Sequence, residues 1–92
     1  MHMEFGPDDT IDHEGPLTPY RQLAAIIRAR LERGDWPTGR PIASETQLTQ
    51  EYGLARTTVR RSIKLLVDEG VLFVVPHRGT YPVDSTQWDR EN

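Results

Sequence analysis

Ninety-two residues, 36% of them hydrophobic and 27% charged, make one small domain with a thin core and no expected room for a cofactor cavity. With no cysteine there is neither a disulfide framework nor a thiolate metal site; His2, His13 and His77 are too scattered for a metal centre, and the longest apolar run, residues 71–75, is far short of a membrane span. The formal charge of −3 hides an asymmetry: residues 1–15 hold five acids and no Lys or Arg, whereas residues 16–83 hold ten basic and six acidic side chains, so the sum does not argue against a polyanionic partner.

Residues 1–15 contain Gly6-Pro7 and lead into Gly15-Pro16. Their acids and low apolar content predict a flexible acidic N-terminal arm, either a solubilising leader or a strap that competes for a basic face. Met1-His2-Met3 followed by acids is the reverse of a basic, apolar signal peptide, so a cytoplasmic protein is expected. A first helix is predicted from Pro19, with Thr18 as N-cap and Gly34 as its stop. Tyr20, Leu23, Ala24, Ile27 and Leu31 form its buried stripe, while Arg21, Arg28, Arg30 and Arg33 lie elsewhere on its surface. In the turn Asp35-Trp36-Pro37-Thr38-Gly39, Trp36 is expected to close over the core edge. Arg40-Pro41-Ile42 reads as extended, and its proline limits it to edge pairing. Ser44 with Gln47 three residues later is the capping-box pattern of a second helix, which turns Leu48 and Tyr52 inward and ends at Gly53.

Only Leu54 and Ala55 separate Gly53 from a third helix, expected over residues 56–69 with Gly70 beyond it. Val59, Ile63, Leu66 and Val67 recur as one apolar stripe; Thr57, Arg60, Arg61 and Lys64 share another. From Arg56 to Lys64 the segment holds four basic residues and no acidic one. Two helices joined by a short turn with glycine are the helix-turn-helix arrangement, whose second helix is free to enter a DNA groove. Arginine can bind guanine O6 and N7 with two hydrogen bonds, and threonine and lysine suit phosphates. Ala55 is a poor N-cap, which leaves Thr57, Thr58 or a phosphate to satisfy the first N–H groups. Residues 71–83 predict a β-hairpin: an apolar strand, the turn Pro76-His77-Arg78-Gly79, and Thr80-Tyr81-Pro82-Val83. One of Phe73 and Val75 is expected to remain partly exposed. Residues 84–92 form a C-terminal tail. The fold class is mainly α with a small β-hairpin: a winged helix-turn-helix of three helices plus wing.

The residues themselves also resemble a known family. Tyr20-Arg21-Gln22-Leu23, Gly34, Gly39, Ser44-Glu45 with Leu48, Tyr52-Gly53-Leu54, Arg56-Thr57-Thr58-Val59-Arg60, Leu66, Glu69-Gly70 and Arg78-Gly79-Thr80-Tyr81 are similar, in order and spacing, to the DNA-binding domain of GntR-type bacterial transcription regulators. The resemblance covers residues 17–83. It implies a winged helix that binds double-stranded operator DNA as a dimer on an inverted repeat, with the recognition helix in the major groove and the wing at the minor groove. By position it implies contacts from Arg56, Thr57, Thr58, Arg60, Arg78, Gly79 and Thr80. Arg61 and Lys64 join them from the cationic stripe, His77 from the wing tip, and Ser44, Thr46 and Gln47 from the start of the second helix.

Ala43, Thr46 and Ala55 stand where the family commonly has proline, a basic residue, and serine or threonine, which bears on individual contacts and on the operator. Typical members continue past the wing into an effector-binding, dimerising domain for which the nine residues after Val83 have no room. The expectation is therefore either an excised domain or a natural short regulator, the acidic N-terminal arm favouring the second, with no small-molecule effector domain in this chain and pairing through the winged helix, through tails around Phe5 and Trp88, or only on DNA. The alternative is a winged-helix protein–protein interaction module that uses the wing strand surface around Leu72, Phe73 and Val75. An enzyme is not expected: Glu45 and Glu51 form no evident acid/base pair, and no nucleophile lies beside a histidine. No cofactor is expected.

Overall fold

In the computed structural model, residues 5–88 are described. His2 and the outer ends of both predicted tails lie outside that range. Helix α1 spans Pro19–Arg33, α2 Glu45–Tyr52 and α3 Arg56–Asp68; strands β1, Leu72–Val75, and β2, Gly79–Pro82, follow, and then a short 3-10 turn, Ser85–Gln87.

Each boundary has a local cause. Thr18 sits in extended conformation before Pro19, as predicted, but its side chain makes no capping bond; its carbonyl takes the N–H groups of Arg21 and Gln22 at 3.0 Å. Gly34 ends α1 at φ +93°, a left-handed conformation that glycine adopts without a Cβ penalty. Ser44 and Gln47 close the full capping box at α2, with Ser44 Oγ accepting the Gln47 N–H at 3.1 Å and Gln47 Oε1 accepting the Ser44 N–H at 2.8 Å. A helix of eight residues is not stable alone; Leu48, fully buried, anchors it. Burying one leucine contributes roughly 1.5–3 kcal/mol, enough to matter in so short an element.

The core is the meeting of all three helices with the base of the hairpin: Leu23, Ile27, Leu48, Val59, Leu66, Val71 and Leu72 are essentially inaccessible to solvent. Trp36 packs on its edge, as expected, with the Arg30 guanidinium 4.2 Å from its ring centroid. The α3 stripe differs by one residue from prediction. Ser62 is fully buried and Val67 only partly so; the single Ser62 hydroxyl proton lies between Tyr20 O at 2.8 Å and Thr58 O at 3.1 Å, tying α3 to the start of α1.

β1 and β2 pair antiparallel, Leu72 with Pro82 and Val75 with Gly79 at the two ends. Ile42 N–H donates to Thr80 O at 2.8 Å, so the extended segment before α2 does run along the outer edge of β2. Phe73 is 46% exposed, as expected of one of that pair; Val74, 56% exposed, is an addition to it. Within β1 only Leu72 is buried in the core, so Val74, farther along the same strand, overhangs beside α3 instead of being covered by it.

Both tails make contacts that composition did not foretell. Gln22, fully buried, brackets the N-terminal segment: its Oε1 accepts Asp12 N–H at 2.8 Å and its Nε2 donates to the carbonyls of Asp12 and Leu17. Ile11 packs on the core, and Asp8 pairs with Arg33 at 2.9 Å; the arm's carboxylate thus meets the end of α1 and not the cationic face of α3. At the other end Trp88 is buried, with its indole N–H on Val83 O at 2.8 Å and Arg28 4.9 Å from the ring centroid. Trp88, expected as a possible handle for dimerisation, is instead part of this chain's own core, since a large aromatic ring gains more from the apolar gap below the wing than from water.

Candidate nucleic-acid interface

The turn Gly53-Leu54-Ala55 sets α3 against α2 with an uncapped start: Ala55 offers no side-chain acceptor, and its carbonyl takes the N–H groups of Thr58 and Val59. The first N–H groups of α3 are therefore left to a partner outside the helix. Arg56 and Arg60 come off one side of this helix, one turn apart, and both reach the carboxylate of Glu45 in the first turn of α2. Arg60 Nε lies 3.0 Å from Glu45 Oε2, Arg56 Nη1 3.3 Å from Oε1, and Arg56 Nη2 3.4 Å from Thr46 Oγ1. Lys64 pairs with Asp68 one turn on, at 3.1 Å.

These pairs correct the expectation that the cationic face has no acid near it. Asp68 was within sight at four residues from Lys64; Glu45 was not, because it reaches the face across the turn from another helix. The pairs are exposed, with side-chain accessibilities of 50% for Arg56, 61% for Arg60 and 75% for Lys64. Exposed ion pairs contribute about 0–1 kcal/mol each, so the carboxylates hold the arginines in place without binding them strongly.

The wing tip is built on a tight turn. Arg78 N–H donates to Val75 O at 3.0 Å, which puts Pro76 second and His77 third, and His77 takes φ +66°. Proline is preorganised for the second position, whereas the third normally requires glycine or asparagine in such a turn; histidine is among the residues that tolerate it. Gly79 follows at φ +132°, and a Cβ there would lie 3.3 Å from Pro41 Cβ, so the start of β2 sits tightly against the segment before α2.

The expected contact residues fall into three groups. A groove of about 670 Å³ gathers Ser44, Thr46, Gln47 and Arg56 on one wall and His77, Arg78, Gly79 and Thr80 on the other. A second groove between α3 and β1 takes Arg60 and Lys64 with Glu45 and Thr80, floored by Ile63 and Val74. Thr57 is exposed between these and the far flank of the helix. Arg61 and Thr58 are turned away from the wing, toward the start of α1, where the Arg61 guanidinium stacks 4.1 Å from the Tyr20 ring centroid. The four-membered stripe of Thr57, Arg60, Arg61 and Lys64 is thus split, since Arg61 lies 100° around the helix from Arg60. The side chains of Ser44 and Gln47 are engaged in the capping box.

Glu45, Tyr20 and Ser62 were not among the predicted site residues. A hydrogen bond from the Arg21 guanidinium holds the Tyr20 phenol below its ordinary pKa. Among the described residues no three His, Cys, Asp or Glu side chains come together in a way that could hold a metal ion, and no helix is long and apolar enough to cross a membrane.

Three helices followed by an antiparallel hairpin, with the last helix pair joined by a glycine turn, are a winged helix-turn-helix. The family of "Bacterial regulatory proteins, gntR family" matches residues 19–81. The chain is 30% identical over 71 residues to the HTH-type transcriptional repressor NagR of Bacillus subtilis, covering 77% of this chain and 29% of the relative. It is 37% identical over 62 residues to the mannosyl-D-glycerate transport/metabolism system repressor MngR of Escherichia coli, covering 67% and 26%. The chain therefore spans less than a third of the length of these curated relatives. Among solved structures, the DNA-binding domain of AraR in complex with operator ORR3 superposes with a TM-score of 0.71 at 29% identity, covering 90% of this chain and all of that one. YtrA of Sulfolobus acidocaldarius, a GntR-family transcription factor, gives 0.72 at 28% identity over 82% and 80%. On the match that runs from the first residue of α1 to the wing, this chain is a member of the gntR family of bacterial regulatory proteins.

Proposed function

We propose that this chain is a sequence-specific DNA-binding transcription regulator of the bacterial cytoplasm, acting at the nucleoid by binding and not by covalent chemistry. The winged domain spans residues 16–83. In this reading α3 lies in the major groove, the wing tip at Arg78 reaches the adjacent minor groove, and two copies occupy an inverted repeat. The observation that carries it is the pairing of Arg56 and Arg60 on one carboxylate: Glu45 presents two guanidiniums side by side at the exposed start of a helix, 3.0–3.3 Å from its oxygens. Two aligned arginines one turn apart suit successive base edges, because each guanidinium can donate two parallel hydrogen bonds to a guanine. A neighbouring carboxylate that must be left behind, or turned to a cytosine amino group, makes wrong sequences costly.

Support also comes from where cations lack carboxylates. Among the described residues Arg78 makes no ion pair, and it lines the groove beside the wing, where a phosphate strand would run. The AraR domain that this chain resembles is seen with an operator duplex.

The test is retention of random duplex DNA by the protein at two salt concentrations, with sequencing of what is kept. Enrichment of an inverted repeat that survives the higher salt supports the reading in full; a single half-site would remove the dimer from it. Sequence-blind retention that vanishes with salt sinks it. A complete lack of retention would favour the protein-interaction alternative, for which the exposed Phe73, stacked on Tyr81 at 5.8 Å, is the surface feature.

A further inference from the structure

Most cations of this domain are already paired. Among the described residues Arg28, Arg30, Arg33, Arg56, Arg60 and Lys64 each hold a carboxylate at 2.8–3.3 Å. Arg21 and Arg61 hold none, although both are exposed and both converge on one phenol. Arg61 stacks 4.1 Å from the Tyr20 ring centroid; Arg21 lies 5.8 Å from it and donates from Nε to Tyr20 Oη at 3.3 Å. They border a cleft of about 580 Å³ between the start of α1 and the flank of α3, whose other walls include Leu17, Thr18 and Thr58.

The chemistry of this cleft is one-sided. Two guanidiniums, the Tyr20 hydroxyl and the hydroxyls of Thr18 and Thr58 border it, and it contains no carboxylate. Thr18 makes no capping bond with its side chain, so its hydroxyl is not committed to α1. The cleft is also held in shape: Ser62, buried, fastens the Tyr20 carbonyl to α3 at 2.8 Å. Stacking on the Tyr20 ring restricts the Arg61 guanidinium to one plane, which reduces the freedom it would lose on meeting an anion.

Position says which anion. Arg61 lies 100° around α3 from Arg60, on the side opposite to Ile63 and the wing. A duplex that takes the Arg60 face in its major groove brings one sugar–phosphate strand past the wing and the other past Arg61. Resting on the DNA-binding reading, we propose that Tyr20, Arg21 and Arg61 form a second phosphate clamp, which grips the backbone strand bordering the recognition helix on the side away from the wing. It positions α3 without reading sequence, while Arg56 and Arg60 read it.

The experiment uses the full chain, the duplex retained in the random-pool selection and a scrambled duplex. Binding is measured across a salt series for the unsubstituted protein, for an Arg21→Ala/Arg61→Ala double variant, for Arg61→Lys and for Arg60→Ala, with thermal melts to confirm folding. The double variant is expected to lose the same factor of affinity on both duplexes and to keep the preferred sequence. The slope of log K against log salt should fall by about 0.9 for the phosphate given up. Arg61→Lys keeps the charge and should keep most of the slope. A scan with single methylphosphonates should find one flanking position that weakens the unsubstituted protein and leaves the double variant unaffected. An unchanged slope together with no such position would overturn the clamp while leaving the DNA reading intact. The DNA reading fails separately, and takes the clamp with it, if no sequence is enriched and Arg60→Ala binds as the unsubstituted protein does.

Discussion

Two arginine–carboxylate clusters in this domain look alike on a contact map and differ in what they can do. At the end of α1, Arg30 reaches Asp35, Glu51 and the Tyr52 hydroxyl at 2.9–3.2 Å, and Arg33 completes the group through Asp35 and Asp8. At the start of α3, Arg56 and Arg60 share Glu45 alone. The centre of the first cluster, the Arg30–Asp35 pair, is sheltered, with side-chain accessibilities of 17% and 20%, and Arg30 closes on the Trp36 ring; both arginines of the second are at least half exposed. Shelter and several partners turn an ion pair into a strut. Exposure and a single shared carboxylate leave it exchangeable, so the same chemistry can be given up to a ligand.

The comparison can be broken most directly at Arg60. Arg60→Ala is expected to cost about 1–3 kcal/mol in binding to the enriched duplex, with little change in thermal midpoint. Undiminished affinity would remove Arg60 from the reading surface. Arg30→Ala should behave in the opposite way. It deprives Asp35 and Tyr52 of a partner and uncovers Trp36, so denaturant melts should register a loss of about 1–2 kcal/mol while affinity per folded molecule stays the same.

Glu45→Gln sharpens the contrast. Removing one negative charge from the DNA face should strengthen binding to scrambled duplex and narrow its difference from the enriched one, each by less than about tenfold, as expected for a surface charge worth about 1 kcal/mol. A preserved ratio of the two affinities would mean that Glu45 does not help to select sequence. The smallest effect belongs to pH. Hydrogen bonds from Arg33 and then Arg30 hold the Asp35 carboxyl well below the usual carboxylate range. A lowered folded-state pKa contributes stability that is complete above the unfolded value, near 4, and is lost as pH falls below it. Thermal midpoints at about pH 6 and about pH 3 should therefore converge in Asp35→Asn relative to the unsubstituted protein, and equal pH sensitivity in the two would count against the strut.

Much of the architecture was legible one residue at a time. Ser44 and Gln47 announced the start of α2, Gly34 and Gly53 the ends of α1 and α2, and Pro41 the edge pairing that the Ile42–Thr80 hydrogen bond makes. The basic stretch 56–64 pointed to the proposed interface for the same reason: helical periodicity and charge are local properties. What was not legible came from across a turn or from farther away. Nothing near Ser62 in the sequence marks it as buried; its hydroxyl meets a carbonyl 42 residues earlier. Trp88 and Ile11 looked like tail residues because nothing nearby in sequence shows the apolar gaps they fill.

The amino-acid order alone determined where helices start and stop, which stripes are apolar and that one segment concentrates positive charge, since caps, period and composition act within a few residues. The packing of α1, α2 and the wing around α3 decided which of those charges remain unpaired. It gave Arg56 and Arg60 a shared carboxylate, set Arg61 on the Tyr20 ring and left Arg21, Arg40 and Arg78 without carboxylate partners among the described residues. Charge is written residue by residue, but its neutralisation depends on distances of a few ångströms between segments that only the fold brings together.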